Sequence, residues 1–172
     1  VPAYKPAAMR IRLLLAFLAL VAAPALAQSA SEQPNTRVEL VSEVKAPAPG
    51  QRFTIGVVME PKPGWHTYWE NPGDSGMPTR AEWQLPPGAS VSAFRYPVPE
   101  TYVVAGLMNH VYSGRNVLLA EVTVPQGASG DFPLKVRLDW LVCDDKICIP
   151  EGAVLTLPLA TGDGAADPAR RA

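Results

Sequence analysis

The chain has 172 residues, with 15 Lys and Arg against 16 Asp and Glu for a formal net charge of -1, and 48% of it is hydrophobic. So even a balance provides no field for nucleic acid or for an anionic lipid surface. Nineteen prolines and thirteen glycines, spread between short apolar stretches, argue against a helical protein and for an all-β chain rich in turns.

Residues 9–27 read as a secretory signal. Arg10 and Arg12 follow Met9, residues 13–23 form the apolar run, and Ala25-Leu26-Ala27 is a small-x-small cleavage site, with cutting expected before Gln28. The apolar run is shorter than the roughly 20 residues a membrane-spanning helix needs, so the mature product is expected to be soluble. Residues 1–8 precede an initiator at Met9 and read as upstream sequence outside the native chain. Removing residues 1–27 leaves about 145 residues, enough for one domain with a sizeable core.

Residues 28–35 are polar and rich in Ser and Gln, a lead-in expected to be flexible. The first strand is expected over 37–44, where Val38, Leu40 and Val44 share one face and Arg37, Glu39 and Glu43 the other. Alternation resumes over 53–59, with Phe53, Ile55, Val57 and Met59 on one side. Between and after these strands, Ala46-Pro47-Ala48-Pro49-Gly50 and Pro61-Lys62-Pro63-Gly64 are turns. A short aromatic strand, Trp65-His66-Thr67-Tyr68-Trp69, sets Trp65 and Trp69 opposite His66 and Tyr68. The breaker-rich run Asn71-Pro72-Gly73-Asp74-Ser75-Gly76-Met77-Pro78 is expected to be an irregular loop governed by turn chemistry.

Further strands are expected over 80–85, 91–96, 117–124, 134–142 and 153–159. About eight short strands separated by turn signals predict an immunoglobulin-like antiparallel β-sandwich, with a small barrel as the competing architecture. Residues 161–172 are rich in Gly, Ala and Asp and read as a linker or severed connection. The expected plan is therefore upstream residues and signal over 1–27, lead-in over 28–35, one sandwich domain over 36–160 and a tail over 161–172.

The only two cysteines, Cys143 and Cys148, lie five positions apart in Trp140-Leu141-Val142-Cys143-Asp144-Asp145-Lys146-Ile147-Cys148-Ile149-Pro150-Glu151. A bridge closing a loop this small contributes about 2 kcal/mol, against nearly 5 for a loop of a hundred residues, so it is a poor device for stability and a better one for redox chemistry. They are also too close to be the inter-sheet bridge of an antibody domain. The period of residues 134–142 puts Cys143 on the side of Lys135, Arg137 and Asp139, so its sulfur is expected to be reachable. Asp144 and Asp145 suit a type I turn, which places the pair at the mouth of a hairpin. Two neighbouring carboxylates, partly offset by Lys146, disfavour a thiolate, and no helix dipole assists; the dithiols are expected to be sluggish outside a docked complex.

These motifs, with Pro63-Gly64-Trp65-His66-Thr67-Tyr68-Trp69, Asn71-Pro72-Gly73-Asp74-Ser75-Gly76 and Trp83-Gln84-Leu85-Pro86, resemble the periplasmic N-terminal domain of the DsbD thiol:disulfide interchange proteins, nearest their ScsB-like branch, which is linked to copper tolerance. The resemblance covers most of residues 38–159, and Cys-Ile-Pro-Glu is its most specific element. It implies a sandwich in which Cys143 and Cys148 are the catalytic redox pair. Reducing equivalents would come from a membrane electron-transfer domain, absent from this chain, and pass to thioredoxin-like periplasmic proteins such as disulfide isomerases and cytochrome c maturation thioredoxins. His66 and Tyr68 stand where the best-known members carry two tyrosines beside the active site, and four residues separate the cysteines here where those members have five. A mobile cap with an aromatic residue is implied within residues 102–110, with no single residue matching cleanly.

Asp144 and Asp145 complete the candidate site as turn residues that could assist proton transfer. The exchange reading requires no organic cofactor and no metal. Its rivals are a non-catalytic immunoglobulin-like binding module with a structural disulfide, and a Cu(I)-binding protein using His66, His110, Met77, Met108 and the cysteines, although those spacings match no metal motif.

Overall fold

A computed structural model describes residues 28–170 of the chain. The upstream residues 1–8 and the signal over 9–27 lie outside the described residues. Among the described residues eleven strands follow one another: β1 (Ala30–Glu32), β2 (Thr36–Ser42), β3 (Arg52–Pro61), β4 (Thr67–Gly73), β5 (Arg80–Gln84), β6 (Ser90–Val91), β7 (Glu100–Val104), β8 (Leu107–Tyr112), β9 (Asn116–Thr123), β10 (Asp131–Cys143) and β11 (Cys148–Ala160). They form a five-stranded sheet ordered β1-β2-β3-β9-β6 and two three-stranded sheets ordered β11-β10-β5 and β4-β8-β7, with every pairing antiparallel.

The core lies between the first two sheets and follows from the alternation of their longest strands. Val38 and Leu40 of β2, Phe53, Ile55 and Val57 of β3, and Leu118, Ala120 and Val122 of β9 come from one side. Phe132, Leu134, Val136, Leu138, Trp140 and Val142 of β10, with Leu155 and Leu159 of β11, come from the other. Each inner face is apolar at every second position, which makes the molecule an immunoglobulin-like antiparallel β-sandwich. Trp140 ties the layers together at the cysteine end, where its indole N–H donates to Thr36 Oγ1 at 3.2 Å.

Three expectations are corrected. Ala30–Glu32, in the stretch expected to be a flexible lead-in, pairs as an edge strand with β2. Of residues 91–96 only Val91 belongs to a strand, with Arg95 making a single bridge to Leu119. Asn71-Pro72-Gly73 is not irregular but ends β4, beyond a register shift between Tyr68 and Gly73. The window implied for an aromatic cap, residues 102–110, lies in a tight hairpin of β7 and β8, closed by the pair Val104 and Leu107.

Candidate functional site

The site is assembled where the third sheet meets the end of β10. Before β4, Lys62-Pro63-Gly64-Trp65 forms a turn in which Trp65 N donates to Lys62 O at 2.9 Å, with Gly64 at φ 84°. A left-handed glycine at the third position is what a type II turn requires, and proline at the second is common there. It delivers His66 beside Cys143: His66 N donates to Cys143 O at 2.9 Å and Cys143 N to His66 O at 3.0 Å. In such a directly opposed antiparallel pair the two side chains project to the same side, and Tyr68, two residues on, joins them.

Cys143 and Cys148 form a disulfide, with Cα atoms 4.1 Å apart, at the last pair of the β10–β11 ladder. The hairpin loop is shaped by Asp144, whose Oδ1 accepts the backbone N–H groups of Lys146 at 2.8 Å and Ile147 at 2.7 Å. Those two donors hold the Asp144 carboxyl below the ordinary carboxylate range. Asp145 is exposed and accepts a hydrogen bond from the Tyr102 hydroxyl. That bond, with some desolvation, raises the Tyr102 phenol above its ordinary value.

The two sulfurs stand in different surroundings. Cys148 is exposed, whereas Cys143 is 1% exposed. Cys143 does project away from the sandwich core, as the period of β10 predicts, but its sulfur is not reachable. Tyr68, Val111, Tyr102 and Leu141 cover it in a second, smaller apolar cluster. The Tyr68 hydroxyl donates to Cys143 Sγ at 3.0 Å and lies 4.0 Å from Cys148 Sγ. Burial pushes the Tyr68 phenol up and the His66 imidazole down, the latter in spite of the opposing pull of Asp145, Asp144 and Glu100. The His66 ring packs edge-on to Tyr68 with centroids 5.4 Å apart, and against Tyr102 at 4.9 Å.

All six residues singled out in the sequence, Cys143, Cys148, His66, Tyr68, Asp144 and Asp145, therefore meet in one place. Sequence reasoning left Tyr102 unassigned within a nine-residue window and missed the residues that hold this assembly from behind. Asp74 N donates to Met108 O at 2.8 Å and its Oδ2 accepts from Met108 N at 2.8 Å, while Ser75 N and Oγ both donate to Asn109 Oδ1. Gly76, at φ 94°, lies so close to the Tyr68 ring that a Cβ there would sit 2.2 Å from Cε1. The turn-forming run Asn71–Gly76 was the available signal, since a glycine after Asp-Ser marks a close approach as readily as a bend. Glu151, from the Cys-Ile-Pro-Glu motif, is buried and accepts from Asn35 N at 2.8 Å and Asn35 Nδ2 at 3.1 Å, which ties the hairpin to the five-stranded sheet.

Of the residues considered for copper, His66 lies beside Cys143, whereas His110 packs edge-on to Trp69 at 5.4 Å and Met77 and Met108 are exposed. Among the described residues no group of three or more His, Cys, Asp or Glu side chains could hold a metal ion.

The sequence model of the family described as "Thiol:disulfide interchange protein DsbD, N-terminal" matches residues 36–160. Among solved structures, the N-terminal periplasmic domain of ScsB from Proteus mirabilis is similar over 77% of this chain and 51% of that one, at 23% identity and a TM-score of 0.60. The chain thus spans about half the length of that structure, and the likeness is one of fold. The reduced N-terminal domain of DsbD from Neisseria meningitidis aligns over 75% of this chain and 88% of that one, at 12% identity and a TM-score of 0.38. No curated protein matches the chain.

Proposed function

Because the chain belongs to the family of N-terminal domains of thiol:disulfide interchange protein DsbD, we propose that it is a thiol–disulfide exchange domain in which Cys143 and Cys148 cycle between disulfide and dithiol. The observation that carries this reading is the asymmetry of the pair. Cys148 is exposed, and Cys143 is buried with the Tyr68 hydroxyl 3.0 Å from its sulfur.

The partner's thiolate attacks Cys148 Sγ, the sulfur that solvent reaches. A mixed disulfide forms between the partner and Cys148 while the Cys143–Cys148 bond breaks, its electron pair passing to Cys143 Sγ. Tyr68, kept protonated by burial, donates to that developing thiolate and makes it a better leaving group. A second thiolate of the partner then attacks the partner's sulfur in the mixed disulfide and releases Cys148, and the Cys148 and Cys143 thiolates take up the two protons that the partner's thiols gave to solvent. Two electrons have entered the domain, the partner has become a disulfide, and the reverse sequence reduces the next protein. In this scheme His66 positions Cys143 through the paired backbone bonds, Asp144 shapes the loop, and Asp145 tethers Tyr102.

The same reading places the domain in the periplasm, exported by the signal over residues 9–27, with the exchange domain over 36–160, the segment 28–35 paired along its edge through Ala30–Glu32, and a tail over 161–172. Its electron donor is a membrane electron transporter, and its acceptors are periplasmic disulfide isomerases or cytochrome c maturation thioredoxins.

Equilibration in glutathione buffers, with thiol labelling and mass measurement, tests the proposal. A potential between about -120 and -230 mV is expected, and one well below about -300 mV would mark a structural staple in a binding module instead. In the reduced protein, Cys148 is expected to be alkylated before Cys143.

A further inference from the structure

The face that carries the disulfide continues along the sheet beyond it. By strand alternation Cys148, Pro150, Gly152 and Val154 lie on the non-core side of β11, and Cys143, Leu141, Asp139 and Arg137 on that of β10. A groove of about 480 Å³ opens on this face. Its floor is low at Gly152, where a Cβ would stand 2.9 Å from Asp139 Oδ1 and 3.0 Å from Leu138 O. One rim is Met77 and Pro78, the segment that leads from Gly76, packed on Tyr68, to β5. Met77 is 45% exposed and Val154 49%, so the groove presents apolar surface to solvent at two separated points.

The charges of this face are uneven. Arg137 is held by Asp139 through two bonds of 3.0 Å each, and Glu82 lies opposite Arg137 in the ladder. Arg80, opposite Asp139, makes no ion pair among the described residues. A ligand entering the groove therefore meets one guanidinium free to donate to a carboxylate, flanked by apolar side chains.

We propose that this groove holds an extended segment of the protein whose thiol attacks Cys148, a segment that sets an apolar side chain between Met77 and Val154 and an acidic side chain toward Arg80. The inference rests on the exchange reading above and adds to it a substrate class: protein thiols flanked by an apolar and acidic stretch. Continuity carries it, since Pro150 is two residues from Cys148 on the same face and Val154 six. At roughly 3.3 Å per residue an extended partner chain covers that span with about four to six residues. Main chain running beside its own reacting cysteine is thereby led into the groove, and the bond it makes to Cys148 is formed as the Cys143–Cys148 bond breaks.

The test follows the opening of the disulfide in the oxidised chain by three probes, corrected for thiol pKa. They are glutathione, synthetic peptides with one cysteine and a leucine–aspartate segment four to six residues away on either side, and the same peptides with lysine for aspartate. The aspartate peptide is expected to react about tenfold faster than glutathione, a difference of about 1.4 kcal/mol. Arg80→Glu should reverse the preference between the aspartate and lysine peptides, and Val154→Arg should remove the advantage over glutathione. Leu119→Arg, on the outer face of the opposite sheet, should alter no ratio. Equal rates for all probes, or a preference that survives both groove variants, overturn the groove while leaving exchange at Cys148 standing. A disulfide that no probe opens overturns the exchange reading and the groove with it.

Discussion

Burial acts in opposite senses on the two rings beside the disulfide, raising the Tyr68 phenol and lowering the His66 imidazole, so both are neutral around pH 7. The hydroxyl is then a donor with a sulfur in front of it. A hydrogen bond to a charged acceptor contributes roughly 1.5–3 kcal/mol, so Tyr68→Phe is expected to slow reduction by about tenfold to a hundredfold and to raise the Cys143 thiol pKa by about one to two units. Stopped-flow reduction and pH-dependent alkylation measure the two effects. His66 reads out through stability. Its folded pKa lies below the ordinary value of 6.5, so the unfolded chain binds the proton more readily and stability falls as pH drops from 6.5 through the folded value. His66→Gln should flatten that acid limb, seen as a smaller change in the urea midpoint between mildly alkaline and mildly acidic buffer.

At the scale of elements, the β7–β8 hairpin turns through Ala105 and Gly106, with φ of 51° and 81°. Two left-handed residues in a two-residue loop make a type I′ turn, which favours asparagine followed by glycine. Alanine at the first position costs about 1 kcal/mol, and Ala105→Asn should recover much of it, read as a higher melting temperature and slower amide exchange across the hairpin. This hairpin and the end of β4 are also where sequence reading fell short. Period-2 patterns reveal strands with one dry face, as in β3 and β10, but Val103, Leu107 and Met108 are exposed and blur the alternation of β7 and β8. Asn71-Pro72-Gly73 has the composition of a breaker, yet Gly73 pairs with Asn109 beyond a shift of register after Tyr68. The turn at Gly64 and the hairpin at Asp144 were legible because each is specified by adjacent residues.

For the molecule as a whole, the core is formed by the inner faces of two sheets while the cysteines sit on the opposite side of β10 and β11. Replacing both Cys143 and Cys148 by serine should therefore leave the sandwich folded and lower its stability by about 2 kcal/mol, the contribution of so short a loop, as measured by urea denaturation with circular dichroism. The sandwich was legible because its core residues alternate within single strands. The cover over Cys143 was not, since Tyr68, Tyr102 and Val111 come from distant parts of the chain and no local pattern announces their meeting. The paired backbone bonds between His66 and Cys143 have one last effect. In the proposed cycle they keep the inner sulfur in place once its bond is open, so that it waits within striking distance of any adduct on Cys148. Covalent encounters with a wrong partner are thus cut short from inside the domain, and only a chain lacking that sulfur would keep them long enough to be collected.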